Sequence, residues 1–172
     1  IVRHNNQSYD SNGDVASSGH TIPTLLEQLL SDDYFQLAPP KSTGFEYFNL
    51  AWLEKNLDFN LTTEEVHADV QSTLCDLTAI TITRAIEQYC DTTDEIFVCG
   101  GGVHNKELMR RLSTLSRAGV SGTEALGIHP DWVEAMAFAW LAYQHNHQLT
   151  GNLPSVTGAN KTVILGNKAA AR

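Results

Sequence analysis

The stretch Phe97–Asn105, FVCGGGVHN, decides how the chain is read. Ile96, Phe97, Val98 and Cys99 form a short continuous apolar run, the pattern of a strand covered on both faces. Gly100, Gly101 and Gly102 follow where the strand must turn. Asn105 then stands where it caps a helix carrying Leu108, Met109, Leu112 and Leu115 on one side. A strand opening through glycines into a capped helix suits phosphate or ribose, because glycine lets a ligand reach the backbone and a helix N-terminus offers unpaired N–H groups. The same glycines equally make a tight strand-to-helix turn that holds nothing. The spacing Gly100-x-Gly102-x-x-Asn105 lacks the third glycine of a dinucleotide fingerprint, and no Walker lysine follows.

Outward from this unit the chain alternates apolar stripes with breaks. Upstream, Thr62 and Glu65 form a capping box that opens a long helix, with Val66, Val70, Leu74 and Leu77 on one face and an end near Tyr89. Thr21 caps an earlier helix striped by Leu25, Leu26, Leu29 and Leu30, which stops near Ser31. Ser42 caps a short aromatic helix with Phe45, Phe48, Trp52 and Leu53 on one side. Tyr9–His20, rich in Ser, Gly, Asn and Asp, reads as a loop. Downstream, Glu124–Ile128 is a weak strand candidate, and Asp131 caps a helix over Val133–Tyr143 that is apolar on every side except at Glu134. Such a helix is expected to be enclosed by protein. Thr162–Leu165 is strand-like.

Glu134 beside the most apolar helix calls for a partner or a use. It either closes a capping box with Asp131 or faces a cleft as a site carboxylate, and one carboxylate can do both. The histidines His104, His129, His145 and His147 have no ligand spacing, so no metal site is read. Cys75, Cys90 and Cys99 are an odd count with no CxxC pair, which fits free thiols in a reducing cytosol, with Cys99 packed in the strand core. The 172 residues carry a net charge of −9, with a pI near 5.1. Such a length gives one core. Such a charge is repelled by phosphate backbones and anionic lipid, so neither nucleic acid nor a membrane is an expected partner. The longest apolar run, Ala135–Ala142, is too short to span a bilayer.

Three stretches together resemble anhydro-N-acetylmuramic acid kinases: PKSTGFEYFNLAWLE (Pro40–Glu54), FVCGGGVHNKELMRRL (Phe97–Leu112), and VEAMAFAWLA with GNLPSVTGA (Val133–Ala142, Gly151–Ala159). The likeness is to the family's C-terminal half and runs from about Tyr9 to Gly166. It implies an α/β, actin-like (ribonuclease H-like) ATPase lobe with a mixed sheet flanked by helices, spanning residues 1–172 as the nucleotide-side lobe of a two-lobe sugar kinase. The reaction it implies is ATP-dependent opening of the 1,6-anhydro ring by water with phosphorylation at O6, giving N-acetylmuramic acid 6-phosphate in peptidoglycan recycling. Gly100, Gly101, Gly102 and Asn105 match the motif against adenosine and ribose, and Glu134 matches a carboxylate on the sugar side, which favours the site role over the cap.

The resemblance also implies ATP and Mg²⁺ as cofactors, the metal held mainly by an N-terminal lobe, together with a cytoplasmic homodimer. The family's phosphate loops and water-activating aspartate lie upstream of Ile1, so no catalytic or metal-binding residue is assigned here and the chain alone is expected to be inactive. Phe45 stands where the family usually has Arg, and the ending GNKAAAR replaces an apolar one. Two other readings stand beside the kinase lobe. One is a non-catalytic dimerisation domain using the helix at Trp52 and the long helix from Glu64; the other is a folded remnant without a ligand.

Overall fold

The computed structural model describes residues 9–57, 66–167 and 169. Ten regular elements are seen among them. The helices are α1 (Asp14–Ser18), α2 (Pro23–Leu30), α3 (Asp33–Gln36), α4 (Leu50–Asn56) and α5 (His67–Tyr89), followed by strand β1 (Glu95–Val98) and helix α6 (Lys106–Leu115). Strand β2 (Gly119–Gly122) and helices α7 (Val133–Asn146) and α8 (Pro154–Thr157) complete the order. The Thr62–Glu65 capping box lies outside the described residues, while the end of α5 at Tyr89 falls where the apolar repeat stops.

α5 is the central strut, 23 residues long. Its stripe meets α2 and α4: Leu25, Leu29 and Leu77 are buried together, and Trp52, Leu53, Val70 and Leu74 pack around them. Burying a leucine in this way contributes roughly 1.5–3 kcal/mol. Trp52 donates its indole N–H to Asp32 at 2.9 Å and Tyr47 its hydroxyl to the other Asp32 oxygen at 2.8 Å. Burial opposes ionisation of this carboxyl, but the bonds from Trp52, Tyr34 and Tyr47, with Lys55 nearby, hold its pKa below the usual value.

β1, α6 and β2 form one β–α–β unit in which the strands pair parallel, Glu95 opposite Gly119 through Val98 opposite Gly122. Among the described residues this two-stranded parallel sheet replaces the expected mixed one. The second strand is Gly119–Gly122, not the Glu124–Ile128 stretch, which holds a 3₁₀ turn over Thr123–Leu126. Cys99 lies beyond the end of β1 and is exposed rather than packed in the core.

Several caps differ from expectation because distant partners compete for the same side chains. The Thr21 hydroxyl binds Asp76 on α5, so α2 opens at Pro23 with no side-chain cap. Ser42 is displaced by Asn49, which accepts from Trp52 N at 3.0 Å and starts α4. Tyr9–His20 is not all loop, since the Asp10 carboxylate accepts from Val15 N and Ala16 N and nucleates α1. Thr162–Leu165 forms no strand; Val163 N is held by Asn152 instead.

The largest difference is α7. Its 14 residues include none that is buried, so the helix expected to be enclosed stands open. No described helix is long and apolar enough to cross a membrane.

Candidate functional site

The glycine turn is built from the end of β1. Gly100 leaves the strand at φ +71°, in the left-handed region where a side chain is strained, which explains glycine at this position. Gly101–His104 then form a 3₁₀ turn, and only after it does α6 begin. Asn105 caps α6 as its sequence position predicts, its side chain accepting from Leu108 N at 2.9 Å. The glycines therefore stand one turn ahead of the helix N-terminus rather than on it.

A Cβ placed on Gly100 or Gly101 meets nothing within 4 Å, and one on Gly102 meets only Leu108 Cδ2 at 3.8 Å. The backbone here is bare and approachable. The N-terminus of α6 is a poor phosphate site by contrast, because Glu107 occupies its first turn with a negative charge. Hydrogen bonds from Arg110 and Arg111 outweigh burial and hold the Glu107 carboxyl at about 2. This turn suits the neutral sugar and base of a nucleotide better than its phosphates.

Two bonds tie the turn to the entry of α7. Gly100 N donates to Pro130 O at 3.1 Å, and His104 Nε2 lies 2.8 Å from Asp131 Oδ1. Asp131 thus pairs with His104 instead of capping α7, whose N-cap is Trp132 with no side-chain bond. The capping box expected for Glu134 is accordingly absent. Glu134 stands exposed in the first turn of α7, three residues beyond the Asp131 link. Gly100, Gly101, Gly102 and Asn105 are one continuous structure, and Glu134 is held near its edge through the backbone of the 129–132 turn.

Behind the turn lies a buried polar network that sequence reasoning misses. Arg111, on the inner face of α6, reaches Glu107 at 2.7 Å, Asp76 at 2.7 Å, and the carbonyl and hydroxyl of Ser72 at 2.6 and 2.7 Å. One guanidinium therefore fastens α6, and with it Asn105, to α5. Cys75 lies beside it, and burial pushes its thiol up to about 11, which removes it as a nucleophile. Gly13, at φ +77°, presses on the same cap: a Cβ there would stand 2.1 Å from Asn105 Oδ1. The Asn12-Gly13 pair was the available signal, a dipeptide that favours positive φ.

Among the described residues no three His, Cys, Asp or Glu side chains stand close enough to hold a metal ion. The bare glycine backbone leaves room for a nucleoside.

The anhydro-N-acetylmuramic acid kinase family profile matches residues 1–171. The chain belongs to the anhydro-N-acetylmuramic acid kinase family. An anhydro-N-acetylmuramic acid kinase of Shewanella frigidimarina is 51% identical over 174 residues, covering 100% of this chain and 46% of the relative. That of Shewanella oneidensis is 52% identical, covering 97% and 45%, and that of Coxiella burnetii strain Dugway 5J108-111 is 47% identical, covering 94% and 43%. The chain thus spans about half the length of the anhydro-N-acetylmuramic acid kinases it matches. These matches support a share of the length, and they do not bear out the C-terminal placement that the resemblance implied.

Proposed function

We propose that this chain is the nucleotide-side part of an anhydro-N-acetylmuramic acid kinase. The whole enzyme would use ATP and water to open the 1,6-anhydro ring of anhydro-N-acetylmuramic acid and place the γ-phosphoryl group on O6, yielding N-acetylmuramic acid 6-phosphate for peptidoglycan recycling in the cytoplasm. In this reading Gly100, Gly101 and Gly102 lie against adenosine and ribose, Asn105 fixes the end of the turn, and Glu134 faces the sugar. ATP supplies the phosphoryl group. The chain's own residues bind and orient, and they stabilise no charge on the transferring phosphoryl, whose grip and Mg²⁺ come from outside this set. The chain alone is accordingly inactive, and the enzyme works as a homodimer.

The observation that carries the proposal is the bare backbone at Gly100 and Gly101, bonded to the entry of the helix that bears Glu134. The dimerisation reading is weaker at the face it names, because Trp52 turns inward to Asp32 and the Leu25–Leu29–Leu77 core.

Gly101→Val is the direct test. A Cβ at Gly101 meets nothing within 4 Å, so the variant should keep the wild-type circular dichroism and melting curve. Calorimetry with a non-hydrolysable ATP analogue should then show binding to the wild type and none to the variant. Equal affinity in both proteins would refute the site, and an unliganded wild type would favour the remnant.

A further inference from the structure

The two strands of the parallel sheet lead at their carboxyl ends into different structures. β1 enters the glycine turn, and β2 enters the connection that leads to α7. That connection is held by its own backbone: Gly127 N donates to Glu124 O at 2.9 Å and Ile128 N to Thr123 O at 3.1 Å, with Gly127 at φ +77°. Pro130–Trp132 then form a 3₁₀ turn with Pro130 buried, and α7 begins at Val133. Because no side chain of α7 is buried, the place of its first turn is set at this entry rather than by packing along the helix. Farther along, a Cβ on Gly151 would stand 3.1 Å from Leu141 Cδ2, and Leu165 O lies 2.9 Å from the His145 ring. Both contacts lie about two turns or more from Glu134 and do not fix its carboxylate.

The glycine turn holds this entry at two points. The backbone point is Gly100 N to Pro130 O at 3.1 Å, and the side-chain point is His104 Nε2 to Asp131 Oδ1 at 2.8 Å. Asp131 has a second imidazole beside it, since His129 Nδ1 lies 3.9 Å from Oδ2. That nitrogen accepts from Asp131 N at 3.3 Å, and a ring nitrogen that accepts there has no proton to give the carboxylate. His104 Nε2 therefore carries the bridging proton. The side chains of His104 and Asp131 are 58% and 49% exposed, and so open a pair adds little stability. The pairing also leaves α7 without a side-chain cap at Trp132. A carboxylate taken from the start of a helix into an exposed pair holds position more than it holds the fold.

We infer that His104 and Asp131 are positioning residues that couple the glycine turn to Glu134. A nucleoside seated on Gly100, Gly101 and Gly102 fixes His104, His104 fixes Asp131, and Asp131 sets the first turn of α7, which bears Glu134. The inference rests on the proposed roles of the glycines and of Glu134, and adds the route between them. His104 need not touch the nucleotide for this, because it shares one 3₁₀ turn with Gly101 and Gly102. The Gly100–Pro130 bond keeps the backbones of the two segments together, so the His104–Asp131 link can be removed by substitution without separating them.

The test follows the backbone amide resonances of the isotope-labelled chain as a non-hydrolysable ATP analogue is added. In the wild type, the resonances of residues 100–102 and 133–135 are expected to move along one binding curve. In Asp131→Ala and in His104→Ala the glycine resonances should still move, with affinity for the analogue changed by no more than about fivefold, while those of 133–135 stay in place. His104→Gln, whose side-chain N–H can replace Nε2–H as the donor to Asp131, should restore the movement at 133–135. Movement of 133–135 in both alanine variants would overturn the coupling, as would its absence in a wild type whose glycines respond. Failure of His104→Gln to restore it would do the same. Lost affinity together with a lowered melting temperature in both alanine variants would make the pair a structural link instead and overturn the inference. An analogue that moves no glycine resonance of the wild type would refute the nucleotide seat itself, and the coupling with it.

Discussion

The region up to Leu112 and the region after it obey the same sequence rules and end in opposite states. In the first, α1, α2, α5 and α6 bury Ala16, Leu25, Leu29, Leu77, Ala79 and Leu112 against one another and close a guanidinium inside. In the second, no described leucine, methionine, phenylalanine or tryptophan is buried, although α7 is the more apolar helix. Apolar composition alone therefore does not bury a helix; it needs a facing surface, and α5 has several while α7 has one. The glycine turn lies on the seam between the two regions.

The strongest challenge to this contrast is aimed at Arg111. Arg111→Met leaves Glu107 and Asp76 without their buried partner, and breaking such a pair costs about 3–5 kcal/mol, read as a lower urea midpoint. A loss under about 1 kcal/mol would mean that the first region does not depend on its polar centre. Acid probes the same network less severely. Glu107 is held at about 2 in the folded chain, below its unfolded value near 4.5, so its contribution is complete above that value and disappears as pH falls from about 4.5 towards 2. Glu107→Gln should flatten the stability curve across that window, and a parallel curve would contradict the assignment.

At the seam, Asn105→Ala removes the α6 cap and should cost about 1 kcal/mol, seen as a lower melting temperature. In the second region the expected effect is smallest. Phe138→Ser in the free chain should change stability by no more than about 0.5 kcal/mol, whereas a core phenylalanine would cost several. A large loss would show that α7 is packed after all.

The sequence reading succeeded where local chemistry decides. Asn105 caps α6 and the α5 repeat ends at Tyr89 because neither outcome depends on a distant residue. It failed where a side chain had a better offer from afar: Thr21 bonds Asp76 and Asp131 bonds His104, so neither caps the helix it precedes. β2 escaped notice because its sequence, Gly-Val-Ser-Gly, carries almost no strand propensity and is held by parallel pairing with β1. Of the candidate site, the glycines and their turn were legible. The tether to Pro130 and Asp131 was not, since it joins backbone and side-chain atoms of separate segments.

Gly13 sets a constraint that reaches far along the chain. With no room for a methyl group against Asn105, positions 13 and 105 behave as a single unit in mutational terms. Any residue larger than glycine at 13 forces the asparagine to move, and a bulkier residue at 105 presses on the left-handed corner. A library that randomises the glycine turn while holding position 13 fixed would therefore sample only those replacements at 105 that this corner already tolerates.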